Sequence, residues 1–308
     1  MPSIILLPDP SVAASTGRVA WVDPDNVAHS LDDGETIRYT RGSVGLGLPP
    51  LDIVRSEVPY QPGSRVRRVR TTERELTLPF LLQADAYADL RTQKQVMQRY
   101  LWSSDAEGDD VRYGYLRFTL VTGDTRQIRA LYLEGLEGDT SQQYVTWEDI
   151  ALTFLCPDGW FEDISDTVVT FTKGAAAVTW FGRPWFPFTL LGSTLIDSVS
   201  VDNTGDLEAW PIWTLTGPAN SPVFRNLTTG AILSIPYNVP AGGTLTIDTR
   251  PGYRRVVDQT GNSRYGVIPA GSTLWSLARG LNQISVSAGS TTTATALTMN
   301  YRRRYLSA

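Results

Sequence analysis

One stretch of this chain carries a helical period. Gln83 to Trp102 reads QADAYADLRTQKQVMQRYLW, and Ala86, Leu90, Met97, Tyr100 and Leu101 recur at three- and four-residue spacing as one apolar stripe. Asp89, Arg91, Lys94, Gln95, Gln98 and Arg99 fall mostly on the other side. Asp85 is the candidate N-cap, and Asp89 in the first turn and Arg99 in the last suit the helix dipole. Nearly everything else alternates with period two or is punctuated by Gly, Pro, Asn and Asp. A lone helix among short strands has only a sheet on which to bury its stripe. The expected fold is therefore mainly β, with the helix lying across a sheet.

The length of 308 residues allows two ordinary domains. A net charge of −5 argues against general nucleic-acid binding, which needs a basic face to release counterions, though a local basic patch stays open. The single cysteine, Cys156, excludes an intramolecular disulfide and a thiolate metal cluster, which fits a reducing compartment. The longest apolar run is far too short to span a membrane. The opening MPSIILLPDP has no basic n-region, so Ile4–Leu7 reads as a buried first strand and not as a signal peptide.

Val19–Val22, Glu35–Tyr39, Leu51–Val58, Arg65–Thr71 and Glu75–Leu82 read as strands. Between the second and third of these, Gly42–Pro50 reads as a flexible connector. No helix follows its glycines, so it is not a phosphate loop. Strict alternation in Arg65–Thr71 puts Val66, Arg68 and Arg70 on one face and Arg65, Arg67, Val69 and Thr71 on the other. Neither face is a clean core face. Two readings stand side by side: a solvated edge strand guarded by charge, or a strand docked on acidic residues of another subunit.

Beyond the helix, Val111–Val121 and Arg126–Leu136 form a hairpin across Thr122–Thr125. Trp147–Leu155 follows, with Ile150, Leu152 and Phe154 on one face, and the first domain closes near Cys156–Gly159. The expected domains are residues 1–160, an aromatic-rich junction over 161–191, and 192–308. The last of these should be an antiparallel sandwich able to fold alone, with turns every eight to twelve residues. Its candidate strands include Ile196–Asn203, Pro211–Thr216, Thr244–Asp248, Gly271–Leu277 and Ala296–Tyr301, and Ser290–Thr295 reads as a hairpin tip.

Candidate chemistry is sparse. His29 is the only histidine, so a Ser-His-Asp triad or a two-histidine metal site would have to use it, and its surroundings read as a solvated loop. Cys156 has no basic sequence neighbour and reads as core packing. Asp105, Glu107, Asp109 and Asp110 lack the terminal bidentate Glu of a calcium loop. Nothing sets a glycosidase spacing for Glu134, Glu137 and Asp139. Arg302–Arg304 reads as a solvated tail, with docking on an acidic partner as the alternative. No catalytic residue, cofactor or metal is expected.

Several motifs taken in order resemble the distal tail protein (Dit) family of long-tailed, non-contractile phages. In the first half these are Arg74-Glu-Leu-Thr-Leu-Pro-Phe80, the helix ending in Tyr100-Leu-Trp, Gly114-Tyr-Leu-Arg-Phe118, Ala130-Leu-Tyr-Leu-Glu-Gly-Leu136 and Leu152-Thr-Phe-Leu-Cys-Pro-Asp-Gly-Trp-Phe161. In the second they are Val201-Asp-Asn-Thr-Gly-Asp-Leu-Glu-Ala-Trp-Pro211, Thr244-Leu-Thr-Ile-Asp-Thr249, Gly280-Leu-Asn-Gln-Ile284 and Asn300-Tyr-Arg-Arg-Arg-Tyr-Leu306. The resemblance implies a ring-forming first domain with one helix and a galectin-like C-terminal β-sandwich. It implies a structural virion protein at the distal end of the tail, assembled in the host cytoplasm. That protein would close a homo-hexameric ring between the tail tube protein and the tail-tip hub and minor tail or fibre proteins. Leu51, Ile53, Arg67, Arg68 and Arg70 are the candidate subunit-interface residues. Two rivals remain: a carbohydrate-binding adhesion module for host attachment, with Trp210, Trp213 and Trp275 as stacking candidates beside Trp180 and Trp185, and a glycan-degrading tail enzyme.

Overall fold

The structure is a computed structural model and describes residues 18–57, 60, 62–102, 111–120, 122–137, 146–171 and 195–308. The expected strand Ile4–Leu7, the run Asp105–Asp110, Asp139, Trp180 and Trp185 lie outside the described residues. The chain divides into two compact units. The first ends at Glu162 and takes back Leu306–Ala308, and the second is Asp163–Tyr305.

In the first unit the strands are β1 (Val19–Val22), β2 (Ala28–Ser30), β3 (Ile37–Tyr39), β4 (Leu51–Glu57), β5 (Ser64–Thr71) and β6 (Arg74–Gln83). After the helix α1 (Tyr87–Leu101) come β7 (Gly114–Thr119), β8 (Thr125–Glu134), β9 (Trp147–Cys156) and β10 (Phe161–Asp163), whose last residue is the first of the second unit. One sheet runs β2-β1-β7-β8-β9-β6-β3, with β10 beside β8. Its register follows from alternation. Leu76, Leu78, Phe80 and Leu82 of β6 are buried, as are Ile150, Leu152 and Phe154 of β9. The two strands pair so that Leu76 meets Phe154 and Leu78 meets Leu152, which puts both apolar rows on one side.

Helix α1 covers that side. Leu90, Met97 and Leu101 are its buried residues, three of the five on the expected stripe. The Trp21 indole N–H donates to the Tyr100 carbonyl at 2.7 Å, and Lys94 Nζ reaches both Glu148 oxygens at 2.8 Å. The cap differs from expectation. Ala86 occupies the N-cap with extended backbone and no side-chain bond, so Asp85 does not cap the helix.

The second unit is a two-sheet sandwich. Its strands are β11 (Thr167–Phe171), β12 (Leu195–Asn203), β13 (Ile212–Thr216), β14 (Ala219–Asn226), β15 (Ala231–Ser234), β16 (Asn238–Val239), β17 (Thr244–Asp248), β18 (Arg255–Asp258), β19 (Gly280–Gly289), β20 (Ala296–Tyr301) and β21 (Arg304–Tyr305). One sheet runs β11-β20-β13-β17-β18, the other β12-β19-β14-β15 with β16 on β14. Trp213 sits at the centre of the core, with Phe224 at 5.0 Å and Phe171 and Trp275 at 5.5 Å between ring centroids. Phe171 comes from β11, which pairs along β20 from Thr167↔Tyr301 to Phe171↔Leu297.

Three local expectations change. Gly271–Leu277 is not a strand and makes only an isolated bridge, Leu277 to Ala209. Ser290–Thr295 joins β19 in one sheet to β20 in the other, so it is a crossing between sheets and not a hairpin tip. Arg302–Arg304 is no free tail: Arg302 pairs with Asp166 at 2.6 Å and Arg303 with Asp163 at 2.6 Å.

Candidate assembly interface

Among the described residues, β4 and β5 pair only with each other, as a two-stranded ribbon outside the sheet. Every residue of β5 is exposed. The pairing explains why simple alternation found no clean face. Leu51 meets Thr71, Asp52 meets Arg70, Ile53 meets Val69 and Val54 meets Arg68, but Arg55 then meets Val66. Arg67 is the extra residue of a β-bulge, and one inserted residue moves everything beyond it to the opposite face. Val66 therefore joins Val69.

Directly opposed residues share a face, so the ribbon is two-sided. One side carries Leu51, Ile53, Val66 and Val69, with exposures from 38% at Ile53 to 56% at Leu51, and Arg55 and Glu57 at its far end. The other carries Asp52, Val54, Ser56, Arg65, Arg68 and Arg70. Arg70 Nε bonds Asp52 at 2.8 Å, and the bulged Arg67 bonds Ser56 Oγ at 3.0 Å. The five expected interface residues thus divide, Leu51 and Ile53 on the apolar face and the three arginines toward the polar one.

The ribbon's base is a built structure, not a flexible connector. Val44 bridges Thr77 through two backbone bonds, and Thr72 N–H donates to Pro50 O at 3.1 Å. Gly45 has φ +89°, and a Cβ there would fall 2.2 Å from the Glu75 carbonyl oxygen. Arg74, only 1% exposed, fastens this base. Nη1 donates to Gly45 O at 2.8 Å and Gly47 O at 2.9 Å, and Nη2 donates to Gly159 O and Leu306 O, both at 2.9 Å. Its guanidinium lies 5.0 Å over the Phe161 ring. Burial pulls the Arg74 pKa down, yet a guanidinium stays charged at any ordinary pH.

A second apolar surface of the first unit lies between the end of α1 and β8. Trp102 is 62% exposed and Leu133 50%, and with Tyr132, Leu136, Arg99 and Glu137 they line a groove of ≈ 680 Å³. Its wall is fixed by Gln98 donating to Leu136 O at 3.2 Å and by Leu136 N–H donating to Tyr132 Oη at 2.8 Å.

The remaining candidates have packing roles in this fold. Trp213 is fully buried and Trp275 nearly so, leaving neither ring face open to a sugar, while Trp210 is half-buried with the Arg254 guanidinium 5.6 Å from its ring. His29 is not a loop residue. It lies on β2 opposite Trp21, stacked on Tyr100 at 4.2 Å, with Nε2 2.9 Å from Asp23 Oδ2. Cys156 is buried, and burial pushes its thiol up to about 12 against the opposing pull of Arg74. The Glu137 carboxylate accepts the Gly135 N–H at 3.0 Å.

Residues 204–305 match the family described as the siphovirus-type tail component, C-terminal domain. Among solved structures, the fold is similar to the SPP1 phage protein Dit (gp 19.1), described as a paradigm of the hub adsorption apparatus in phages infecting Gram-positive hosts. The TM-score is 0.65 at 15% identity, over 94% of this chain and 99% of that one. A chain of the phage P2 baseplate in its activated conformation with Ca aligns at TM-score 0.48 and 9% identity, over 92% of this chain and 98% of that one. No curated protein matches in sequence.

Proposed function

We infer that this chain, whose residues 204–305 match a siphovirus-type tail component and whose fold is similar to that of Dit, is a tail-tip protein with a ring-building role. It is a structural component of the phage tail tip and not an enzyme. Copies of the chain close head to tail into a hexamer between the tail tube and the tip hub with its fibres. The observation that carries this reading is the β4–β5 ribbon. Among the described residues it pairs with no other strand of its own unit, and it exposes four large aliphatic side chains in one row. Such a surface is stable in water only at a cost, and contiguous exposed apolar patches mark interaction sites. A ribbon that reaches onto a different patch of the next copy makes a heterologous contact, which generates a ring when the rotation closes.

The bulge refines which residues carry the contact. Leu51, Ile53, Val66 and Val69 supply the buried area, and Arg67, Arg68 and Arg70 border it. Arg70 is already paired with Asp52 within the ribbon, which lowers what a partner carboxylate adds. The test is electron microscopy of assembled tail tips, together with light scattering of the purified chain at high protein concentration and low salt. Six-fold symmetry at the tip is expected. The Val66→Asp, Val69→Asp variant should be excluded from the ring, and Arg68→Glu, Arg70→Glu should weaken it less. A tip without six-fold symmetry, or a ring that tolerates the aspartates, would remove the role from the ribbon.

A further inference from the structure

We propose that the groove of Trp102 and Leu133 is the acceptor site for the β4–β5 ribbon of a second copy, an assignment that rests on the ring reading above. Among the described residues, the first unit exposes a projecting apolar surface and, beside α1 and β8, a recessed one. The ribbon is the first, with Leu51, Ile53, Val66 and Val69 in a row. The groove is the second, and no residue of β4 or β5 lines it within the same copy. A projecting and a recessed patch on one unit are the two halves of a heterologous contact, in which each copy gives its ribbon forward and receives one from behind.

Charge agrees with this pairing. The ribbon's apolar face ends in Arg55 and Glu57, both exposed. Arg99 and Glu137 flank the groove's aromatic and aliphatic floor, and both are exposed. Each surface therefore presents one cation and one carboxylate beside its apolar strip, and Arg55 can face Glu137 while Glu57 faces Arg99. Opposite-charge placement of this kind fixes register and rejects wrong partners more than it adds affinity. The residue types fit as well. Trp102 and Tyr132 are the aromatic anchors that dominate interfaces, and branched aliphatic side chains fill the space between such rings. The groove is also firm, because two hydrogen bonds fix Leu136 in its wall.

Cys156 is the chain's only cysteine and is buried, so an added surface thiol reports alone. Two full-length variants, Val69→Cys and Leu133→Cys, place a thiol on the ribbon and in the groove at exposed positions. They are mixed under conditions where light scattering shows association and treated with a short bis-maleimide. The mixture should give a two-chain product several-fold in excess of either variant alone, and a chain carrying both changes should give a ladder of higher products. Leu133→Asp, which adds no thiol, should lose association as the aspartate ribbon variant does. Association without the mixed product overturns the groove assignment and leaves the ring reading standing. Cross-linking of Val69→Cys with itself also overturns it, since that means ribbons meet face to face. Lack of association together with tail tips that have no six-fold symmetry removes both.

Discussion

A guanidinium offers five N–H donors in a rigid fork, and Arg74 sets two of its nitrogens against four backbone carbonyls. Lysine carries the same charge on a single nitrogen and cannot reach all four. Arg74→Lys should therefore lower stability by about 2–4 kcal/mol in urea unfolding, since hydrogen bonds to charged groups are each worth about 1.5–3 kcal/mol. Its neighbour across the strand pair, Cys156, should resist maleimide labelling in the native protein and react only on unfolding, because burial holds the thiol neutral. In the second unit, Asp258 accepts bonds from the Thr260 hydroxyl, from the Arg264 fork and from the Asn262 and Thr260 backbone, and these hold its carboxyl well below the usual range. A folded pKa below the unfolded value near 4 means the stabilisation is complete above about pH 4 and fades as the pH falls further. Thermal unfolding followed from pH 6 to pH 2 should show a steeper acid loss for the wild type than for Asp258→Asn.

Helix α1 holds its place through Leu90 and Met97, and truncating either to Ala should cost about 2–5 kcal/mol. β11 gives a second expectation at this scale. A fragment of residues 192–308 lacks Phe171, a buried neighbour of Trp213, and leaves one edge of β20 unpaired. We propose that a fragment of residues 163–308 folds as a β-rich monomer with a cooperative urea transition, while 192–308 unfolds at lower urea and tends to associate. What the sequence revealed follows the range of the forces involved. The alternation of β6 and β9 and the stripe of α1 are local patterns, so they were legible. The sides of the ribbon were not, because counting by twos assumes that no residue is inserted, and the bulge at Arg67 is visible only in the pairing with β4. The role of Arg74 was invisible for a different reason. Its partners lie 27, 29, 85 and 232 residues away, so no window of sequence contains them. Met97 and Leu101 announced themselves by spacing, whereas the groove beside them depends on where β8 lies.

At the scale of the molecule, the first unit is not contiguous in sequence: the chain leaves it after Glu162 and returns at Leu306. The return is fastened at three points, through Arg74 to Leu306 O, Arg126 to Ser307 O at 2.9 Å, and Ala308 N–H to Leu46 O at 3.2 Å. Two of the three bear on the loop from which the ribbon springs. A ribosome makes Leu306 only after the whole second unit has been translated, so in a nascent chain the ribbon's base still lacks its ties to Leu306 and Ala308. Any contact that needs the fully fastened base is therefore open only to chains synthesised through both units.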